Sequence, residues 1–322
     1  MRTIRWGIIG CGQVTEMKSG PAFQKVPGST LTAVMRRDAE KAADYARRHN
    51  VPRWYDNATA LIEDPEVDAV YIATPPHVHM HYTLEAAKAG KPVYCEKPLG
   101  FHYEQSRTMV EYCKERQVPL YVAYYRRALP KFTLVKKLLS DGTIGTVRSV
   151  SVVASQSLKP GYIDGSDWKV DPKIAGGGLF HDVACHTLDL LDWLFGPIVE
   201  ARGFAGRQER YYEADDIVSG SWVFDSGVHG SGIWTFQGWG DYDSVEIIGS
   251  LGTLSFSVMD LFAPLTVRTE GEERTIGVPD PPEHVAQPLI AEVVQALLGN
   301  GVCSSTGESG VRTDWVMSRL AI

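Results

Sequence analysis

Two histidines and two aspartates crowd one stretch, His181-Asp182-Val183-Ala184-Cys185-His186-Thr187-Leu188-Asp189, just after the glycine run Gly176-Gly177-Gly178. On a helix, Asp182, His186 and Asp189, at spacings of four and three, project from one face. A carboxylate beside an imidazole can fix its tautomer and raise its pKa from about 6.5, which suits a proton shuttle near neutrality. The glycines would let backbone crowd close to a ligand. A capped core helix with polar ends is the plainer alternative. No metal is expected, because there is no His-Glu-x-x-His and His181 points away from His186 by helix phase. No Gly-x-Ser-x-Gly elbow appears, and Cys11 reads as a small neutral filler.

A second candidate is Glu96-Lys97-Pro98, at the C-terminal end of an apolar run, the place where ligands bind in open α/β sheets. Pro98 biases Lys97 toward an extended backbone that can aim its ammonium into the crevice; a surface Glu-Lys pair is the alternative. A third is Trp6-Gly7-Ile8-Ile9-Gly10-Cys11-Gly12-Gln13-Val14-Thr15. Gly10 permits a tight turn, and Gly12 lets backbone approach a pyrophosphate at a helix N-terminus, where amides and dipole favour anions. Thr15 stands at the third glycine position of that pattern, and Gly20-Pro21 is expected to break the helix early. A simple turn is the alternative here.

The elements that must carry these residues alternate in the first third of the chain. Apolar runs at Ile4 to Ile9, Leu31 to Met35, Ala69 to Ala73, Pro92 to Cys95 and Pro119 to Ala123 are separated by helical stretches at Asp38 to Arg48, Ala58 to Ile62, His81 to Ala89 and Glu104 to Arg116. That rhythm predicts a doubly wound parallel sheet. From Thr146 onward most runs have period two: Val147 to Ala154, Val199 to Arg207, Ile217 to Phe224, His229 to Phe236, Ser244 to Gly249, Thr253 to Val258 and Pro264 to Thr269. Helices are expected at about His181 to Leu194 and Pro288 to Leu298. The fold class is therefore an α/β Rossmann domain plus an α+β domain with a large, mostly antiparallel open sheet. The expected division is 1–123 for the dinucleotide and 124–322 for substrate and oligomerisation, the C-terminal helix being free to pack back on the first domain.

The tip of the second strand bears on which dinucleotide is used. An NAD-preferring site usually places an acid there to accept the ribose hydroxyls. Here the tip reads Met35-Arg36-Arg37-Asp38, and paired guanidinium groups could clasp a 2′-phosphate through charge-assisted hydrogen bonds. NADP(H) is thus expected over NAD(H). In the alternative, one arginine stacks on adenine, the other faces solvent, and Asp38 reaches the ribose.

Composition excludes several classes. The 322 residues carry 32 basic and 39 acidic side chains, a net charge of −7, with 44% hydrophobic and 22% charged residues, ordinary for a globular protein. Basic pairs such as Arg47-Arg48 make no stripe for nucleic acid. No run approaches the roughly 18 to 20 apolar residues of a membrane helix, and the start leads straight into a strand-like segment, so a cytoplasmic chain is expected. The five cysteines form no Cys-x-x-Cys pair and read as reduced, buried thiols.

Taken in order, Gly10-Cys11-Gly12, Ala73-Thr74-Pro75, His79, Ala89-Gly90-Lys91-Pro92, Glu96-Lys97-Pro98, Arg126-Arg127, Trp168-Lys169 and the glycine run with Asp182 and His186 are familiar. Over nearly its whole length the chain resembles the glucose-fructose oxidoreductase and inositol dehydrogenase family. The resemblance implies nicotinamide-dependent oxidation of a secondary alcohol on a sugar, cyclitol or related polyol, or the reverse reduction. By position, Lys97 orients and polarises the substrate oxygen, His186 is the acid/base, and Asp182 positions His186 or the substrate hydroxyl. Gly10, Gly12, Gln13 and Val14 hold the pyrophosphate. Thr74, Pro75, His79 and Glu96 line the nicotinamide side, with Arg126 and Trp168 also in the cofactor set. Tyr125 falls in the substrate set, where many relatives have asparagine, and Ala128 replaces an aromatic. The resemblance also suggests a cis Lys97-Pro98 bond and a homo-oligomer formed through the open sheet. Two other functions are open: a lyase or glycosidase-like enzyme using tightly bound NAD for transient oxidation, and a non-catalytic dinucleotide-binding sensor.

Overall fold

The computed structural model describes residues Arg2 to Ile322. Two compact units form, the first from the segments ending at Ala128 and spanning Pro282–Val311, the second from Leu129–Pro281 and Arg312–Ile322. In the first, β1 (Ile4–Ile9), β2 (Ser29–Met35), β3 (Arg53–Tyr55), β4 (Ala69–Ile72), β5 (Val93–Cys95) and β6 (Leu120–Val122) form a sheet in the order β3-β2-β1-β4-β5-β6. Every pairing is parallel. Because helices cover both faces of such a sheet, its strands are apolar throughout; all four residues of β4 are buried. The order reverses between β1 and β4, which is the switch point where ligands bind. The five expected strands are all present. β3 carries no readable pattern, being three residues long with Arg53 and Trp54 exposed.

The intervening helices are α1 (Gln13–Met17), α2 (Gly20–Lys25), α3 (Ala39–Arg48), α4 (Ala58–Glu63), α5 (His79–Lys88) and α6 (Tyr103–Glu115). Asp38 and Asn57 cap α3 and α4 by accepting from the amides of Lys41 and Ala60 at 3.1 Å each. The chain does break before Gly20-Pro21. Steric room explains why glycine stands there: a Cβ on Gly20 would overlap the Thr15 carbonyl oxygen and the Tyr45 hydroxyl, which themselves bond at 2.9 Å.

The second unit begins with α7 (Pro130–Ser140), a helix that the sequence analysis passed over although Pro130 occupies a favoured first-turn position. Then follow β7 (Val147–Ser155), α8 (Pro160–Ile163), α9 (Pro172–Ala175), α10 (Gly178–Phe195), β8 (Ile198–Gly206), β9 (Ile217–Phe224), β10 (His229–Thr235), β11 (Tyr242–Gly249), β12 (Gly252–Phe256), β13 (Leu265–Thr269) and β14 (Glu272–Ile276). The sheet order is β14-β13-β12-β11-β7-β10-β9-β8. Its pairs are antiparallel except β7 with β10. Alternation along β7 buries Val150, Val152 and Ala154 on the inner face. Two edge-to-face aromatic pairs, Phe180 with Trp234 and Phe195 with Phe224, each at 5.3 Å, join α10 to that face.

Two helices end the chain, α11 (Gln287–Leu297) and α12 (Gly307–Leu320), the latter divided between the units after Val311. The expected division gave 124–322 to the second domain while leaving the C-terminal helix free to pack back on the first. Pro282–Val311 groups with the first unit, where Leu289, Ile290, Val293 and Val294 of α11 enter the core that holds Trp6, Phe23 and Tyr94. Local periodicity identifies the apolar face of such a helix but not the surface that receives it.

Candidate active site

The dinucleotide candidates lie at the C-terminal edge of the first sheet. Gly10 has φ +92°, and a Cβ there would stand 2.7 Å from Thr74 Cγ2, so both backbone sign and space require glycine. Gly12 is the N-cap of α1, and a Cβ on it would meet nothing nearer than 3.8 Å, leaving open space over the turn. The amides of Thr15 and Glu16 both donate to Gly12 O, at 3.0 and 3.2 Å. The amides of Gly12, Gln13 and Val14 precede these bonds and point out of the helix end. Thr15, at the third glycine position, is fully buried and also donates its hydroxyl to Gly12 O at 2.8 Å. Thr74 Oγ1 is buried with no partner. Open space at Gly12, outward amides and an orphaned hydroxyl suit a dinucleotide phosphate group.

At the end of β2, Arg36 Nη1 donates to Cys11 O at 3.3 Å, so its guanidinium lies beside the glycine turn. Arg37 is exposed. Asp38 is committed elsewhere: besides capping α3, it pairs with Lys41 Nζ at 2.9 Å.

After β4 and β5 the chain places Thr74 and Pro75 on one turn and Glu96 and Lys97 on its neighbour, with His79 opening α5. The Tyr71 hydroxyl donates to Glu96 Oε1 at 2.5 Å, and Lys97 N donates to Oε2 at 3.2 Å. Burial holds the Tyr71 phenol far above its ordinary range, which keeps it a donor. The Lys97-Pro98 bond is cis, as the resemblance suggested. His79 is fully buried and bonds only backbone carbonyls. Arg126 is also buried; it donates to the Tyr125 hydroxyl at 3.1 Å and lies 5.1 Å from that ring's centroid.

In the second unit, α10 carries Asp182 and His186 one turn apart, both inside the helix as their spacing required. His186 is 6% exposed, and Asp182 receives Lys169 Nζ at 2.9 Å. Gly176 and Gly178 have φ of +70° and +67°. A side chain on Gly178 would collide with Ala214 Cβ, and one on Gly177 with the His181 ring. Burial pushes that imidazole down to about 4. Trp168 is 38% exposed, on a short turn capped by Asp167. Among the described residues, no three His, Cys, Asp or Glu side chains are grouped to hold a metal ion.

Sequence reasoning missed Tyr71, which holds Glu96, and gave Lys169 no role. Tyr71 reads simply as one more apolar position of a buried strand. Lys169 stood beside Trp168 in the familiar order, but its pairing with Asp182 passes through two short helical segments that have no period.

A doubly wound sheet with a glycine-rich first turn, joined to an open antiparallel sheet, defines a class of nicotinamide-dependent enzymes. Residues 4–124 match the model of the oxidoreductase family with an NAD-binding Rossmann fold, and residues 132–255 match the GFO/IDH/MocA C-terminal domain. The chain is 41% identical to Oxidoreductase P35 of Formosa agariphila, over 92% of each protein. It is 30% identical to 1,5-anhydro-D-fructose reductase of Ensifer adhaerens, over 95% of this chain and 92% of that one. Among solved structures, levoglucosan dehydrogenase in complex with NADH superposes with a TM-score of 0.89 at 23% identity, covering 99% of this chain and 96% of the other. The chain belongs to the GFO/IDH/MocA oxidoreductase family and is an NAD(P)-dependent oxidoreductase.

Proposed function

We propose that this oxidoreductase prefers NADP(H) and acts on a secondary alcohol or ketone of a sugar, anhydro sugar or related polyol. The observation that carries the cofactor preference is Arg36, whose guanidinium bonds the Cys11 carbonyl of the glycine turn while Asp38 is taken up by α3 and Lys41. A 2′-phosphate presented at the end of β2 would meet Arg36 with Arg37 beside it, and no carboxylate stands ready for the ribose hydroxyls. The sugar reading is supported by the names of the relatives, an anhydrofructose reductase and a levoglucosan dehydrogenase.

The assignment of roles follows the chemistry of each group. Gly10, Gly12, Gln13 and Val14 hold the pyrophosphate, Thr74 and Pro75 lie at the nicotinamide side with Glu96, and Arg126 and Trp168 complete the set. When bound, the nicotinamide accepts or supplies the hydride. Lys97 donates to the substrate oxygen and stabilises the negative charge that develops on it. His186 takes the hydroxyl proton in oxidation and returns it in reduction. Asp182, held by Lys169, orients His186 or the substrate hydroxyl, and Tyr125 contributes to the substrate pocket.

We also place the protein in the cytoplasm, a reading supported by five buried cysteines that form no disulfide among the described residues. Among the described residues no helix is long and apolar enough to cross a membrane. The test of the cofactor reading is kcat/KM with NADPH and NADH for wild type and Arg36→Ala. Wild type should favour NADPH, and the variant should lose about ten- to a hundredfold with NADPH alone, in proportion to one charge-assisted contact. NADH preference, or undiminished NADPH use by the variant, contradicts it.

A further inference from the structure

His79 opens α5 with 0% exposure, so no edge of its ring is left to touch a nicotinamide, the role its place in the family pattern implied. Its Nε2 lies 2.7 Å from the carbonyl oxygen of Thr74, in the turn after β4. On the opposite side, Nδ1 lies 3.0 Å from Pro98 O and 3.1 Å from Leu99 O, in the turn after β5. All three partners are carbonyl acceptors, which the ring can bond only by donating an N–H. One ring thus spans two turns, and the second of them contains Lys97.

We infer that His79 is a positioning residue: its imidazole is a strut that fixes the Lys97-Pro98-Leu99 backbone against the Thr74 turn, so that Lys97 projects from a rigid base. The inference rests on the reading of Lys97 as the group that meets the substrate oxygen. A neutral ring donates at one end only, whereas the imidazolium donates at both. Burial pushes the ring toward the neutral form, the carbonyls of Thr74, Leu99 and Pro98 draw it toward the charged one, and the neighbouring His77 adds to the first tendency. In either form the ring fills the space between the two turns, although only the imidazolium donates to both. Without it, the carbonyls that the ring satisfies lose that donor in the protein interior; Leu99 O also lies 3.9 Å from Cys95 Sγ, a weak donor. A nucleophile or electrostatic donor displaced by about 1 Å can lose about a hundredfold in rate.

The test compares wild type, His79→Gln and His79→Ala. The glutamine variant keeps most of the volume and one donor, so it is read where the alanine variant does not fold. Hydrogen exchange of apoprotein, followed by mass spectrometry, should be accelerated at least tenfold in the segment 96–101 and left unchanged in β1 and β2. Fluorescence titration with NADPH should give a Kd within threefold of wild type, while kcat with 1,5-anhydro-D-fructose falls about ten- to a hundredfold. A residue that merely stabilises the fold would lower the melting temperature and leave kcat of the folded fraction intact. Unchanged exchange in 96–101 together with unchanged kcat overturns the strut. Lys97→Ala separates the two claims. If that variant retains turnover, the role of Lys97 fails, whereas inactivity of Lys97→Ala beside His79 variants of wild-type exchange and rate refutes the strut alone.

Discussion

Lys97 reaches its place through chain chemistry that can be followed residue by residue. The end of β5 delivers Glu96, Tyr71 pins the Glu96 carboxylate, and that same carboxylate accepts from the Lys97 amide. The Lys97 backbone is therefore anchored on its N-terminal side by a side chain and on its C-terminal side by the His79 contacts. We predict that Lys97→Ala lowers kcat by at least about 10²- to 10³-fold, the usual effect of removing one donor to a developing oxyanion, while NADPH binding by fluorescence titration stays within a few-fold. Near-normal turnover would remove Lys97 from the chemistry. The residue types of the site were legible in the sequence because each sits in a short motif with a backbone reason: glycine at a positive φ, proline after lysine, aspartate and histidine four apart. The partners that hold them were not, since Tyr71, Lys169 and the carbonyls around His79 are brought near by tertiary packing without any local pattern.

At the scale of elements, strands with a buried face were readable and those without one were not. β4 and β9 stand where their apolar residues put them, whereas β14, Glu272–Ile276, is an edge strand with four exposed polar residues and no alternation to detect. The contact between α1 and α3 carries its own expected outcome. Arg48 donates two hydrogen bonds to Glu16, at 2.7 and 2.8 Å, and His49 Nε2 lies 2.7 Å from the same carboxylate. Arg48, then, holds the Glu16 carboxyl down to about 2, against an ordinary 4.5, with His49 contributing and desolvation opposing. Since the folded value is the lower one, the stabilisation is fully present above about pH 4.5 and is lost as pH falls toward 2. The pair is partly exposed, so it is worth about 1 kcal/mol or less. Wild type should melt slightly above Glu16→Gln at pH 6 and level with it near pH 2; a gap that stays constant over this range would show that the ionised form is not what the helices use.

Across the whole molecule, the outer face of the second sheet carries a row of exposed apolar side chains. Register places Phe204, Ser219, Ile233, Val153 and Ser244 in one row over β8, β9, β10, β7 and β11. Phe204 is 80% exposed, Val153 45% and Ile233 39%. Apolar groups in such a row favour burial against a second copy, and sedimentation at micromolar concentration should give a dimer or tetramer, which Phe204→Glu with Ile233→Lys dissociates. A wild-type monomer would refute this. The division of the chain was the least legible feature at this scale, because α11 joins a core most of whose other members lie between Ile4 and Ala123. The claim on which the rest depends is net redox turnover of a sugar by exchangeable cofactor. The measurement that tests it most directly is nicotinamide absorbance with NADPH plus 1,5-anhydro-D-fructose, and with NADP⁺ plus levoglucosan, other anhydro sugars and cyclitols, each repeated with NADH or NAD⁺. Oxidised or reduced cofactor should accumulate in proportion to sugar product with at least one pair, faster with the phosphorylated cofactor. Sugar conversion with no net change in free cofactor would instead mark a lyase or glycosidase-like cycle, and tight cofactor binding without turnover of any sugar would mark a sensor; either result contradicts the account.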